Sequence, residues 1–196
     1  MAFINQEAKE IHCKVVYYGP SLGGKTTNLQ WIYHKTAGGD KSEMMDFNAN
    51  PERTKFFDFL PMNVGNIRGL RTRFHLYTVP GQVVYDASRR LILKGLDGVI
   101  FVADSQLERM DENIEAIRNL EINLEKQGYN IRQVPLVLQY NKRDLPNIAS
   151  VAELRAALNK YNAPDFEANA AIGRGVLESL TTVSKSIVTI LKGGEV

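Results

Sequence analysis

The stretch Gly19-Pro20-Ser21-Leu22-Gly23-Gly24-Lys25-Thr26 constrains this chain more than any other. It satisfies G-x-x-x-x-G-K-[ST] at every fixed position. Glycines let the backbone turn tightly, so that successive N–H groups point inward at phosphate oxygens. A helix leaving the loop adds the positive end of its dipole. Lys25 is then expected to reach the β- and γ-phosphates and the Thr26 hydroxyl to ligate Mg²⁺, with Thr27 next to it. Average residue frequencies give such a match in roughly one per cent of chains this long. Context strengthens it. Residues 14–18 (KVVYY) read as a strand entering the loop, and residues 26–35 as a helix leaving it, with Leu29, Ile32 and Tyr33 on one side.

Apolar strands and helical patterns alternate through the rest. Residues 37–51 are polar and rich in Gly and Asn, as in a loop; residues 56–67 and 70–79 read as a hairpin turning near Arg68-Gly69. Residues 86–94 suggest a helix. Residues 98–103 (GVIFVA) form an uninterrupted apolar run, as expected of a parallel strand buried on both faces. Met110, Ile114, Ile117 and Leu124 recur at helical spacing, and residues 136–140 give another strand. Ser150 and Glu153 form a capping box before Leu154 and Leu158, and residues 176–190 form a final amphipathic helix. This order predicts an α/β, three-layer architecture: a mostly parallel sheet, helices on both faces and one antiparallel hairpin. Without a linker or repeat, residues 1–196 read as one domain.

Asn141-Lys142-Arg143-Asp144 follows the apolar strand at residues 136–140. An N-K-x-D tetrapeptide at a strand's C-terminal end lies where α/β folds place ligand contacts. Guanine offers N1–H and N2–H₂ donors on one edge, and the Asp144 carboxylate accepts both. Adenine leaves that carboxylate unpaired, so the site discriminates. Asn141 and the aliphatic stem of Lys142 are expected to organise the pocket and cover the base. Asn169-Ala170-Ala171 is the expected third base loop, its Ala170 N–H facing guanine O6; that reading rests on position.

These motifs resemble the Ras-like small GTPases over nearly the whole chain, and more closely the MglA-type bacterial polarity and motility GTPases. The resemblance is carried by residues 16–20 (VYYGP), by Arg53-Thr54 with residues 56–61 (FFDFLP), by residues 73–82 (RFHLYTVPGQ), and by residues 85–89, 91–95 and 101–105. It implies a P-loop GTPase fold and a GTP/GDP switch in a bacterial cytoplasm, recruited to cell poles by partners. It also implies control of polarity or motility through effectors bound in the GTP state, and an MglB-like activating partner of the Roadblock/LC7 fold.

Hydrolysis of GTP rests on positioning and electrostatics. As in Ras-like proteins, Gln82 is expected to orient the attacking water and the Gly81 N–H to meet the γ-phosphate. Thr54 stands where the family's Mg²⁺-binding switch threonine belongs. Arg53 resembles an arginine finger supplied in cis, an effect worth ~10³–10⁵ in rate. Three positions depart from common patterns. Thr78 stands where most Ras-like proteins place an Asp that holds Mg²⁺ through water, with Asp58 able to compensate or to be a plain strand-edge carboxylate. Ser21 replaces a glycine, and Val84 replaces a Phe.

The remaining features exclude classes. Net charge is +2, which gives no electrostatic case for nucleic acid. One cysteine, Cys13, fits a reducing compartment. Ala2 excludes myristoylation and the tail has no prenylatable cysteine, so no direct membrane anchor is expected. His12, His34 and His75 are dispersed in the sequence, without zinc spacing. Two rivals stay open: a nucleotide-locked scaffold that barely hydrolyses GTP, and an ATP-using P-loop kinase, against which the N-K-x-D loop speaks.

Overall fold

The computed structural model describes residues 3–36, 59–67, 69–80 and 86–193. Arg53, Thr54, Asp58, Arg68, Gly81, Gln82, Val84 and the polar segment 37–51 lie outside the described residues.

The strands are β1 (Phe3–Asn5), β2 (Glu10–Tyr18), β3 (Phe59–Ile67), β4 (Leu70–Thr78), β5 (Gly98–Asp104), β6 (Leu136–Asn141) and β7 (Asp165–Glu167). The helices are α1 (Lys25–Thr36), α2 (Asp86–Leu93), α3 (Met110–Lys126), α4 (Val151–Leu158) and α5 (Val176–Gly193). They form one sheet in the order β3-β4-β2-β5-β6-β7. Strands β4, β2, β5, β6 and β7 run parallel, β3 is antiparallel to β4, and β1 pairs antiparallel with β2. The sequence reading did not foresee β1, whose three residues carry no periodicity; it pairs Phe3 with His12 and Asn5 with Glu10.

Alternation along β2 feeds two cores. Ile11, Cys13, Val15 and Tyr17 pack with Leu29 and Ile32 of α1 and Val183 and Ile187 of α5. Val16 and Tyr18 face the other layer, with Ile92 of α2, Leu120 of α3 and Leu154 of α4. All residues of β5 and β6 are buried, as a parallel strand covered on both faces must be. Gly98 lets α5 approach: a Cβ there would lie 2.8 Å from Val183 Cγ2. The capping box of α4 is complete. Ser150 Oγ accepts from the Glu153 N–H at 3.2 Å, and the Glu153 carboxylate accepts from the Ser150 N–H at 2.8 Å. Burial pushes the Cys13 thiol up to about 12, so it stays protonated and inert.

Two of the three dispersed histidines meet across β2 and β4. His12 Nδ1 lies 2.7 Å from His75 Nε2, with the rings stacked at 5.0 Å. Glu10 closes the cluster through Arg73 at 2.8 Å and His12 at 3.3 Å.

Candidate nucleotide site

Strand β2 lies beside β5, and the connection leaving β2 leads through α1 toward β3 whereas that leaving β5 leads through α3 toward β6, on the opposite side of the sheet. The C-terminal end of β2 is therefore a topological switch point, the crevice where open α/β sheets bind ligands. The segment from Gly19 to Thr26 occupies that end. Gly19 adopts φ +142°, and a Cβ there would sit 2.2 Å from the Val102 carbonyl oxygen of β5. Gly24 adopts φ +99°, and a Cβ there would sit 2.2 Å from Asn141 Nδ2. Gly19 admits no side chain, and one at Gly24 would be strained and would push Asn141 from its place. Leu22 takes the left-handed region at φ +59° and is 81% exposed at the loop crest.

Lys25 opens α1 and is buried. Its Nζ donates to the Gly19 and Pro20 carbonyls at 3.1 and 2.6 Å, so the ammonium is held over the loop's own backbone. Thr26 and Thr27 are half-buried in the first turn of α1. Asn28 donates to the Gly24 carbonyl from both its backbone and its Nδ2. Ser21 is half-buried, and its carbonyl accepts from Arg109 Nη2 at 2.8 Å. Thr78 is buried at the end of β4, in register with Tyr17 of β2.

The second loop converges on the first through Asn141, the last residue of β6. Its side chain is 3% exposed. Nδ2 donates to the Gly23 carbonyl at 2.9 Å, and Oδ1 accepts from the Ala170 N–H at 2.9 Å. One buried amide thus staples the phosphate-type loop to the third loop. Sequence reasoning aimed the Ala170 N–H at guanine O6; the structure engages it with Asn141, so a base carbonyl must share that donor. Lys142 takes φ +65° and donates from Nζ to Asp104 Oδ2 at 2.6 Å. Asp144 is exposed and carries no side-chain partner among the described residues, leaving its carboxylate available as an acceptor.

Three contributors were not legible beforehand. Asp104 ends the apolar strand β5 with 0% exposure, accepts from Gln106 and Lys142, and lies 3.9 Å from Arg109. Arg109 reaches the Ser21 carbonyl from the start of α3. Gln139, within β6, exchanges amide hydrogen bonds with Asn28 at 2.9 and 3.0 Å and donates to Ser179 Oγ at 3.2 Å, forming a polar floor under both loops. A charged or amide residue at or within an apolar run is the one sequence signal, carried by Asp104 and Gln139 and not by Arg109. Among the described residues no cluster of His, Cys, Asp and Glu suited to a metal is present, and no helix is long and apolar enough to cross a membrane.

A strand, a glycine loop clasped by backbone and a helix, stapled to an Asn-Lys-x-Asp loop, define a P-loop nucleotide-binding protein. The chain matches the ADP-ribosylation factor (Arf) family over residues 1–187 and belongs to that family of small GTPases. It is similar to the mutual gliding-motility protein MglA of Myxococcus xanthus, with 59% identity over 194 residues covering 99% of this chain and 100% of that one. It is also similar to human ADP-ribosylation factor-like protein 4A, with 29% identity covering 74% of this chain and 64% of the relative. ADP-ribosylation factor-like protein 6 of Caenorhabditis elegans is 24% identical, covering 87% and 92%.

Proposed function

We propose that residues 1–196 act as one GTP-binding switch that hydrolyses GTP to GDP and phosphate and regulates bacterial polarity or gliding motility. The observation that carries the reading is the Asn141 staple: it joins the Gly23 and Ala170 backbones beside the unengaged Asp144 carboxylate. Polyphosphate on one loop and a purine on the other are thereby set at a fixed separation.

In this reading the backbone from Gly19 through Gly24, with Lys25, holds the phosphates, and Asp144 selects guanine. The residues present fit Mg²⁺ with GTP: Gly19 and Gly24 let the loop backbone pack directly on Val102 and Asn141 with no side chain between, and a threonine hydroxyl follows Lys25. Thr26 and Thr54 would hold Mg²⁺, with Thr78 and Asp58 supporting its waters. The ion supplies neutralisation of phosphate charge. Gln82 orients a water that attacks the γ-phosphorus; the bond to the β–γ bridging oxygen breaks and GDP leaves. Arg53 neutralises charge developing on that oxygen. An MglB-like Roadblock-fold partner settles both residues, and motility effectors bind the GTP state. The protein works in the cytoplasm and reaches poles through partners.

Calorimetry with GDP and ADP tests the base reading, and equal affinities refute it. Single-turnover hydrolysis of the parent, Gln82→Leu and Arg53→Ala tests the chemistry; parent rates in both variants refute the catalytic assignment. Thr78, a neutral hydroxyl where a carboxylate is common, favours a second reading, a nucleotide-locked scaffold. Bound GTP that persists with the activating partner present would select it.

A further inference from the structure

Arg89 of α2 is 2% exposed. A guanidinium stays charged, and burying one is costly unless its donors are met. Arg89 directs Nε to the Pro80 carbonyl at 2.9 Å and Nη1 to Asn119 Oδ1 of α3 at 2.7 Å. Its guanidinium carbon lies 5.7 Å from the centre of the Tyr18 ring. The Tyr18 hydroxyl also donates to Asn119 Oδ1, and Asn123 Nδ2 reaches the same oxygen at 3.1 Å. One amide oxygen therefore collects donors from β2, α2 and α3.

The two ends of this network are specific. Tyr18 is the last residue of β2, bonded directly to Gly19 of the phosphate-type loop. Pro80 is bonded directly to Gly81, the residue read as meeting the γ-phosphate. A peptide unit is planar, so what fixes the Pro80 carbonyl fixes the plane shared with the next N–H. We propose that Tyr18, Asn119 and Arg89 form a buried brace that holds the Pro80 peptide at a set distance from the phosphate loop, with Arg89 and Asn119 as positioning residues for the γ-phosphate. The inference rests on the guanine-nucleotide reading above. The brace acts on the third phosphate and leaves the diphosphate contacts alone, because those come from the segment Gly19 to Thr26.

The test uses the full chain with Tyr18→Phe, Asn119→Leu, Arg89→Met and Arg89→Lys. Tyr18→Phe removes one hydroxyl and keeps the ring, so it provides a folded variant. GDP and GTPγS affinities are measured by calorimetry, and hydrolysis by single turnover. The expected result is a GDP affinity within about twofold of the parent and a hydrolysis rate lower by about tenfold or more, as small misplacements produce. The ratio of GTPγS to GDP affinity falls with it. Arg89→Lys recovers only part of the rate, since an ammonium cannot serve both acceptors with fork geometry. A merely structural role would lower both affinities in step with thermal stability, and that outcome overturns the proposal. So does an unchanged affinity ratio and rate in Tyr18→Phe and Asn119→Leu. A parent protein that prefers no guanine nucleotide overturns the functional reading itself, a result separable from either.

Discussion

Replacing Asn141 by Ala severs the staple between the two nucleotide loops. Two groups lose their partner at once: the Gly23 carbonyl, which accepts from Nδ2 at 2.9 Å, and the Ala170 N–H, which donates to Oδ1 at 2.9 Å. Ala170 is 2% exposed and Gly23 is buried, so water reaches neither easily. A buried polar group left without a partner costs about 1–3 kcal/mol, which puts the loss at about 2–5 kcal/mol after partial relaxation. With a urea dependence of about 2 kcal/mol per molar, the unfolding midpoint falls by about 1–2.5 M. Saturating GDP widens the gap between parent and variant, because the variant binds nucleotide less tightly and gains less from mass action. Urea melts with and without GDP, followed by circular dichroism, measure both quantities. A midpoint shift below about 0.3 M, equal with and without GDP, refutes the reasoning that one amide ties the loops.

Other substitutions probe separate links. Asp144→Asn replaces an acceptor by a group that also donates; GDP affinity should fall by about tenfold or more, while xanthosine diphosphate, with a carbonyl at C2, gains relative to it in displacement titrations. Gly173→Ala should destabilise by about 2 kcal/mol or more, since φ there is +84° and a Cβ would meet Trp31 Cε2 at 1.9 Å. Trp31 is the sole tryptophan, so its emission reports the displacement. His75 is held below its ordinary 6.5 by burial first, then by His12 and Arg73, against the pull of Glu10. The unfolded chain binds that proton more readily, so this contribution is full above 6.5 and is lost as pH falls through 6.5 toward the folded value. Urea midpoints should drop across that window and drop less in His75→Gln.

What the sequence disclosed was local. Gly19, Gly24 and Lys25 announce their loop because glycine spacing is dictated by backbone geometry within eight positions. Ser150 and Glu153 announce α4 because a capping box closes over three residues. The alternation of apolar runs and amphipathic stripes carried the parallel core of the sheet for the same reason. What stayed hidden was non-local. Arg89 and Arg90 are neighbours of the same type, yet the first is buried on a partner 30 positions away. Asp104 and Lys142 stand 38 residues apart, and His12 and His75 stand 63 apart. No periodicity reports such meetings, because strand order creates them. β1 escaped because three residues are too few to show alternation.

Gln139, Asn28 and Ser179 form one buried exchange that also reaches the Gly24 and Gly175 carbonyls. Substituting Gln139 or Asn28 strands the other's amide, whereas replacing all three with matched apolar groups strands no side chain, and the Gly24 and Gly175 carbonyls keep the Asn28 and Ser179 backbone N–H donors. The ground beneath the site therefore accepts change only as a bundle. Variation there is rationed by coincidence rather than by the severity of any single step, and a lineage that alters position 139 must arrive with positions 28 and 179 already suited to it.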